Sequence, residues 1–159
     1  MSTGKMPRRQ AGLGYLLCLF AIAVLGLGAA GAGRVWYTTQ QREREAELLF
    51  VGLQYANALD AYHAQEVNGQ HQWPQNLEEL LEDRRGPRMQ RHLRQLYRDP
   101  MTGKADWVLL RSAGRINALH SKSTGTPIRT VFEAPFESFT GAERYDQWTF
   151  VPPAEGTTL

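Results

Sequence analysis

The apolar and polar residues divide the chain into an apolar run, a polar helix-forming stretch and a mixed C-terminal half. No charged side chain occurs from Gln10 to Gly33. Residues 13–32 are almost wholly apolar or small, and about 20 such residues suffice to cross a bilayer as a helix. The pattern predicts a transmembrane segment over residues 13–33, preceded by a basic leader at residues 1–12.

Helical periodicity continues beyond the apolar run. Residues 40–47 read QQREREAE, a composition of high helix propensity. Apolar residues then recur every three or four positions, which indicates an amphipathic helix with one face packed on a domain. We therefore expect a single helix from about Leu13 to about Ala64, with an extracytoplasmic half over residues 34–65. The recurring apolar positions are Leu48, Val51, Tyr55, Ala58 and Tyr62.

The next stretch, residues 66–153, is predicted to form a small domain. Asn76 is placed to cap a short helix over residues 77–82. A long helix followed by short helices and then strands predicts an α+β fold with an antiparallel sheet, and residues 154–159 are expected to form a flexible tail. The strand-like segments are residues 107–110, 116–120, 127–132 and 147–151.

Composition and charge exclude several classes of function. The net charge of +2 is too small to indicate a nucleic-acid partner. The basic stretch at residues 84–98 is flanked by acidic residues and is interpreted as a solvated face. Because Cys18 is the only cysteine, no disulfide forms within the chain.

No catalytic constellation is present in the sequence. The four histidines share no metal-ligand spacing, and the chain contains no nucleophile elbow, phosphate loop or zinc-protease motif. Asp99 and Asp106 flank a turn where oxygens could surround a calcium ion. We prefer the simpler interpretation of a turn residue and a capping or solvated carboxylate. The sequence predicts a protein that is not an enzyme and holds no cofactor or metal.

Three interpretations compete for the N-terminal segment. A secretory signal would be removed near Ala32, a plain anchor would remain intact, and a prepilin-type leader would be cut after a glycine. Basic residues before the span favour a cytoplasmic N-terminus. Small residues at Gly26, Gly28 and Gly31 permit either close helix–helix packing or bending.

Several sequence stretches resemble type II secretion pseudopilins and type IV pilin-like proteins. The leader RRQAG at residues 8–12 ends in a glycine directly before the apolar run. The stem sequence REREAELLFVG spans residues 42–52, and WPQNLEELLED spans residues 73–83. The most distinctive piece is RHLRQLYRDPMTG at residues 91–103, followed by ADW at residues 105–107.

The resemblance implies a subunit or assembly factor of a secretion or pilus-like machine. Gly12 would be the last leader residue and Leu13 the first mature one after cutting by a prepilin peptidase. Other pilin-like subunits, secretion-machine membrane components and the lipid bilayer are the implied partners. The implied location is the bacterial inner membrane, single-pass, with a cytoplasmic N-terminus and a periplasmic domain. The family-like loop comprises Asp99, Pro100, Gly103, Asp106 and Trp107.

One departure from the family pattern affects the expected role. Family members usually carry glutamate at the fifth mature position, where Leu17 stands here. In the family, this glutamate neutralises the N-terminal amine of a neighbouring subunit inside the filament, and an amine left unpaired in apolar surroundings is costly. We therefore expect a minor or tip component, or an uncut anchored relative, rather than a major filament subunit. The predicted helix–helix packing residues are Leu17, Gly26, Gly28 and Gly31. The alternative function is a single-span periplasmic interaction module without a filament role.

Overall fold

The structure, a computed structural model, describes the backbone of residues 11–153 and the side chains of residues 14–25 and 36–153. The chain divides into two compact units, Met1–Gln40 and Gln41–Leu159. A helix of 54 residues, α1, runs from Ala11 to Ala64. Its bounds agree with the continuous helix that the sequence predicted. Residues 1–10 of the predicted leader, which was placed at residues 1–12, and the predicted tail at residues 154–159 lie outside the described residues.

The predicted transmembrane half of this helix, residues 13–33, is contradicted. A span needs about 20 consecutive apolar residues. Among the described residues, no helix is both long enough and apolar enough to cross a membrane. The predicted fold class, a pilin-like α+β fold whose long helix has a membrane-spanning first half, is therefore wrong in that element. The predicted location as a single-pass inner-membrane protein is contradicted by the same finding.

The second unit contains a β-hairpin. Strand β1 (Val108–Ser112) pairs antiparallel with β2 (Arg115–His120), with a bulge between Leu110 and Arg111. The two turn residues, Ala113 and Gly114, have φ of 50° and 80°. Positive φ at both positions is the type I′ geometry that suits the right-handed twist of paired strands.

The described sheet has only these two strands, fewer than the sequence predicted. Residues 127–132 form no strand, because Pro127 lacks an N–H and the amides of Ile128 and Arg129 donate to the carboxylate of Glu45 instead. Residues 147–151 make a single bridge, between Phe150 and Leu119. Both segments were predicted as strands from their composition, and at residues 127–132 the contact with the distant Glu45 overrides that propensity.

One face of α1 supplies much of the core of the second unit. The buried helix residues follow the three- and four-residue spacing predicted from the sequence. Gly52 lies on this face, and a Cβ added there would stand 2.3 Å from the ring of Phe150. Helix and ring thus approach more closely than any larger residue at position 52 allows. The buried residues of α1 include Leu48, Leu49, Val51, Tyr55, Ala58, Leu59 and Tyr62.

A short 3₁₀ helix at Leu77–Leu80 packs beside α1. Asn76 caps it by accepting a hydrogen bond from the amide of Glu79 at 3.1 Å, as the sequence predicted. The hydroxyl of Tyr62 donates to the carboxylate of Glu79 at 2.7 Å. The cap therefore also positions an acceptor for the last turns of α1.

Candidate functional site

The family-like loop is a tight turn organised by one buried carboxylate. Asp99 is fully buried. Its Oδ1 accepts from the amide of Met101 at 2.8 Å, and its Oδ2 accepts from the hydroxyl of Ser121 at 2.6 Å and the amide of Lys122 at 3.3 Å. Gly103, with φ of 71°, donates its amide to the Asp99 carbonyl at 2.7 Å. Hydrogen-bond donors occupy both carboxylate oxygens.

The remaining predicted loop residues also make structural contacts. Asp106 accepts from the hydroxyl of Thr102 at 2.5 Å. The indole of Trp107 donates to the carbonyl of Tyr97 at 2.9 Å. Pro100 lies at the start of the turn. Among the residues that the structure describes, no group of three or more His, Cys, Asp or Glu side chains is arranged to hold a metal ion.

Tyr55 connects this loop to α1. Its hydroxyl accepts from the amide of Tyr97 at 2.9 Å and donates to the carbonyl of the same residue at 3.2 Å. The rings of Tyr97 and Trp107 meet the Tyr55 ring edge-on, with centroids at 6.2 Å and 5.5 Å. Burial raises the pKa of the Tyr55 hydroxyl to about 12. The hydroxyl is therefore a neutral structural group.

A second polar cluster lies at the Ala64 end of α1. The side chain of Asp83 is fully buried. It accepts two hydrogen bonds from the guanidinium of Arg85, at 2.7 Å and 2.9 Å, one from the backbone amide of Arg85 at 3.0 Å and one from Nε2 of His92 at 3.0 Å. Burial alone would raise the pKa of the Asp83 carboxyl. The hydrogen bonds and charge of Arg85, with the bond from His92, outweigh it and hold that pKa well below its usual range.

Arg85 connects this cluster to the end of the helix. Its guanidinium donates to the carbonyl of Tyr62 at 2.8 Å and lies over the Tyr62 ring, 3.4 Å from the centroid. A helix leaves its last carbonyls without partners, and a cation there also meets the negative end of the helix dipole. In the same last turn of α1, the carbonyl of His63 is hydrogen-bonded to Nδ1 of His71 at 3.0 Å. Desolvation lowers the pKa of Arg85, but its bonds to Asp83 leave it raised.

A third polar cluster lies at the Gln41 end of the packed helix. Glu45 is 4% exposed, and its Oε1 accepts from the amide of Ile128 at 2.6 Å and the hydroxyl of Tyr145 at 2.8 Å. Its Oε2 accepts from the amide of Arg129 at 3.2 Å. The amide of Gln41 donates to Tyr145 at 2.8 Å. A single helix carboxylate thus holds two successive loop amides.

A cavity of about 340 Å³ lies beside Glu45. We call it the Arg42–Arg129 cleft; it is lined by Arg42, Glu45, Ala46, Ile128 and Arg129. The two arginine side chains are exposed, while the carboxylate between them is buried. This arrangement is the most chemically distinctive in the second unit, because basic side chains border a carboxylate without pairing with it.

The N-terminal candidate residues are only partly described. Leu17 lies within α1 with 65% of its surface exposed in this chain. The side chains at Leu13 and at the predicted small-residue positions lie outside the described residues, so the packing prediction is neither confirmed nor contradicted. The cleavage prediction at Gly12 also stays a prediction. The small-residue positions are Gly26, Gly28 and Gly31.

Sequence reasoning missed three charged side chains that organise the second unit, the buried Glu45 and Asp83 and the partly buried Arg85. Glu45 lies in a stretch interpreted as a polar helix, Asp83 is one of the acidic residues that flank the basic stretch, and Arg85 lies in that basic stretch, which was interpreted as solvated. Nothing in their immediate sequence distinguishes them from neighbours such as Glu47 and Arg84, which are exposed. One signal was available: Glu45 lies three residues before Leu48 and so continues the apolar stripe by one helical turn.

No protein-family model, curated protein or solved structure matches the chain.

Proposed function

We propose that the protein is a non-enzymatic structural subunit or assembly factor of a type II secretion or type IV pilus-like machine, in a minor role. The observation that carries the proposal is the use of α1 as a scaffold. Residues Gln41 to Ala64 of this helix provide a large part of the core of the second unit. A domain folded onto one long helix suits a subunit that joins neighbours through helices.

The chemistry of the second unit supports a structural rather than a catalytic role. The buried carboxylates of Glu45, Asp83 and Asp99 each accept at least three hydrogen bonds from the chain itself. Carboxylates saturated in this way are poorly available as general bases or metal ligands. Glu45 and Asp99 instead join segments that are distant in sequence, and Asp83 holds the nearby Arg85 and His92 in one cluster.

Processing by a prepilin peptidase tests this proposal directly. The full chain is co-expressed with an active or an inactivated peptidase, and the intact mass of the product is measured. We expect a peptidase-dependent species that begins at Leu13, and a Gly12→Val substitution should abolish it. Gly14→Ala serves as the matched control, since a Cβ at this position meets no atom within 4 Å.

The result also separates the two candidate roles. A full-length species in both samples would contradict the processed pilin-like role and favour an interaction module without a filament role. If processing occurs, Leu17→Glu should increase crosslinking to other pilin-like subunits, because it restores the carboxylate that the family usually carries. Unchanged crosslinking would rule out the missing carboxylate as the limit on assembly.

A further inference from the structure

The Arg42–Arg129 cleft is lined by two cationic side chains and one anionic side chain, and the anionic one already accepts three hydrogen bonds. The carboxylate of Glu45 accepts two loop amides and the hydroxyl of Tyr145. Arg42 precedes it by three positions on the same helix, a spacing at which side chains can meet. Even so, Arg42 forms no ion pair with Glu45 or any other described residue.

The second arginine is also without a counter-ion. The amide of Arg129 is bound to Glu45, but its guanidinium makes no hydrogen bond or ion pair with a described residue. It lies 5.6 Å from the centroid of the Phe132 ring, a contact that leaves its N–H groups available. Two arginines therefore line one cavity, and neither guanidinium forms a hydrogen bond or ion pair with a described residue.

We propose that the Arg42–Arg129 cleft binds a carboxylate side chain presented by an acidic segment of a partner protein. Guanidinium groups match carboxylates through paired N–H donors, and two of them beside one occupied carboxylate leave a net positive site. The hydrogen bonds of Glu45 hold Ile128 and Arg129 against α1, so the cleft is formed before a ligand arrives.

The surroundings favour a protein over other carriers of negative charge. Phe50 follows Ala46 by one helical turn and is 57% exposed, which places an aromatic ring on the helix face next to the cleft. Arginine and aromatic residues together are typical of protein interfaces. None of the described residues that line the cleft is aromatic, so these residues offer no surface on which nucleic-acid bases could stack. The site does not depend on the pilin-like role, since any acidic protein partner satisfies it.

Peptide binding to the full chain tests the proposal. The probes are a glutamate-rich peptide blocked at both termini and its glutamine counterpart, with affinity measured by calorimetry and the amides of Ile128 and Arg129 followed by NMR. We expect the glutamate peptide to bind and to shift both amides. Arg42→Gln and Arg129→Gln should each weaken binding by roughly tenfold, the effect of losing one charge-assisted hydrogen bond.

Arg44→Gln is the matched control, because it removes the same charge from an exposed position on the same helix that does not line the cleft. The thermal midpoints of all three variants should match that of the parent chain. No binding of the glutamate peptide, equal binding of the glutamine peptide, or an equal loss in Arg44→Gln would overturn the proposal. Tighter binding of a single-stranded oligonucleotide with the same dependence on Arg42 and Arg129 would also overturn it and assign the cleft to phosphate.

Discussion

At the Gln41 end of the packed part of α1 a helix carboxylate holds a loop, whereas at the Ala64 end a loop guanidinium holds the helix. Glu45 accepts hydrogen bonds from two loop amides, and Arg85 donates to the carbonyl of Tyr62. The difference follows from where each contact lies along the helix. Within the helix the backbone N–H and C=O groups are already hydrogen-bonded to each other, so only a side chain can bind a loop. At the C-terminus of the helix the last backbone carbonyls are available to accept hydrogen bonds.

Removing the guanidinium at the Ala64 end should have the largest effect. Arg85→Met leaves the fully buried carboxylate of Asp83 with only His92 as a side-chain partner. We expect the free energy of unfolding to fall by about 3 kcal/mol, the usual cost of breaking a buried pair. Urea denaturation measures this change.

The neighbouring arginine provides the control for this substitution. Arg84 is 75% exposed and pairs with Glu82 on the surface. Arg84→Met should change the free energy of unfolding by less than about 0.5 kcal/mol. Equal losses in the two variants would show that the buried cluster does not anchor the helix end.

Lowering the pH should have the second-largest effect on the free energy of unfolding, again through the cluster at the Ala64 end. The pKa of the Asp83 carboxyl lies well below its ordinary value of 3.8 in the folded protein. The Asp83 carboxyl therefore binds a proton less readily in the folded state than in the unfolded state. The stability that the ionised carboxylate contributes is complete above pH 3.8 and is lost progressively as the pH falls below 3.8. Between about pH 6 and about pH 2 the parent should lose about 2 kcal/mol more than Asp83→Asn, which cannot titrate. Parallel pH profiles from chemical denaturation would contradict this.

Glu45→Gln tests the Gln41 end with a smaller expected loss. The substitution keeps the volume but replaces one acceptor oxygen by an NH₂ group, which leaves one donor without a partner. We expect a cost of about 1.5 kcal/mol and faster hydrogen exchange at the amides of Ile128 and Arg129. Glu47→Gln, at an exposed position of the same helix, is the control. Unchanged exchange at both amides would exclude Glu45 as the loop anchor.

The smallest loss of stability should come from removing the Asn76 cap, which binds the amide of Glu79, the residue whose carboxylate accepts from Tyr62. Asn76→Ala removes the acceptor for the Glu79 amide and should cost about 1 kcal/mol in thermal or urea unfolding. Asn76→Ser keeps a capping oxygen without placing a second negative charge beside Glu79, and should retain most of the stability. A similar loss in both variants would show that the cap is not what Asn76 contributes.

Local and periodic features of the fold were accessible from the sequence. The spacing of Leu48, Val51, Tyr55 and Tyr62 predicted the buried face of α1, and Asn76 predicted the start of the 3₁₀ helix. The extent of the sheet was not accessible, because the strand-like composition of residues 127–132 gives no sign that Glu45, more than 80 positions earlier, takes their amides. The transmembrane assignment was also wrong.

The charged cluster at the Ala64 end was not accessible from the sequence for a related reason. Asp83 and Arg85 look like surface residues within an acidic and basic run, and only the fold brings His92 and the end of α1 to them. Unpaired arginines are equally hard to recognise from sequence. Arg42 has Glu45 three positions away, a spacing that ordinarily predicts an ion pair. The loop amides that occupy Glu45 lie in a distant part of the chain.

The close approach of Gly52 and Phe150 has an evolutionary consequence. The glycine has no Cβ, and the aromatic ring fills the space where one would stand. The two positions share one volume, so a larger residue at 52 is compatible with the fold only when a smaller one replaces Phe150. Among descendants of this sequence, the two positions should therefore change together, and a change at position 52 alone should be eliminated by selection.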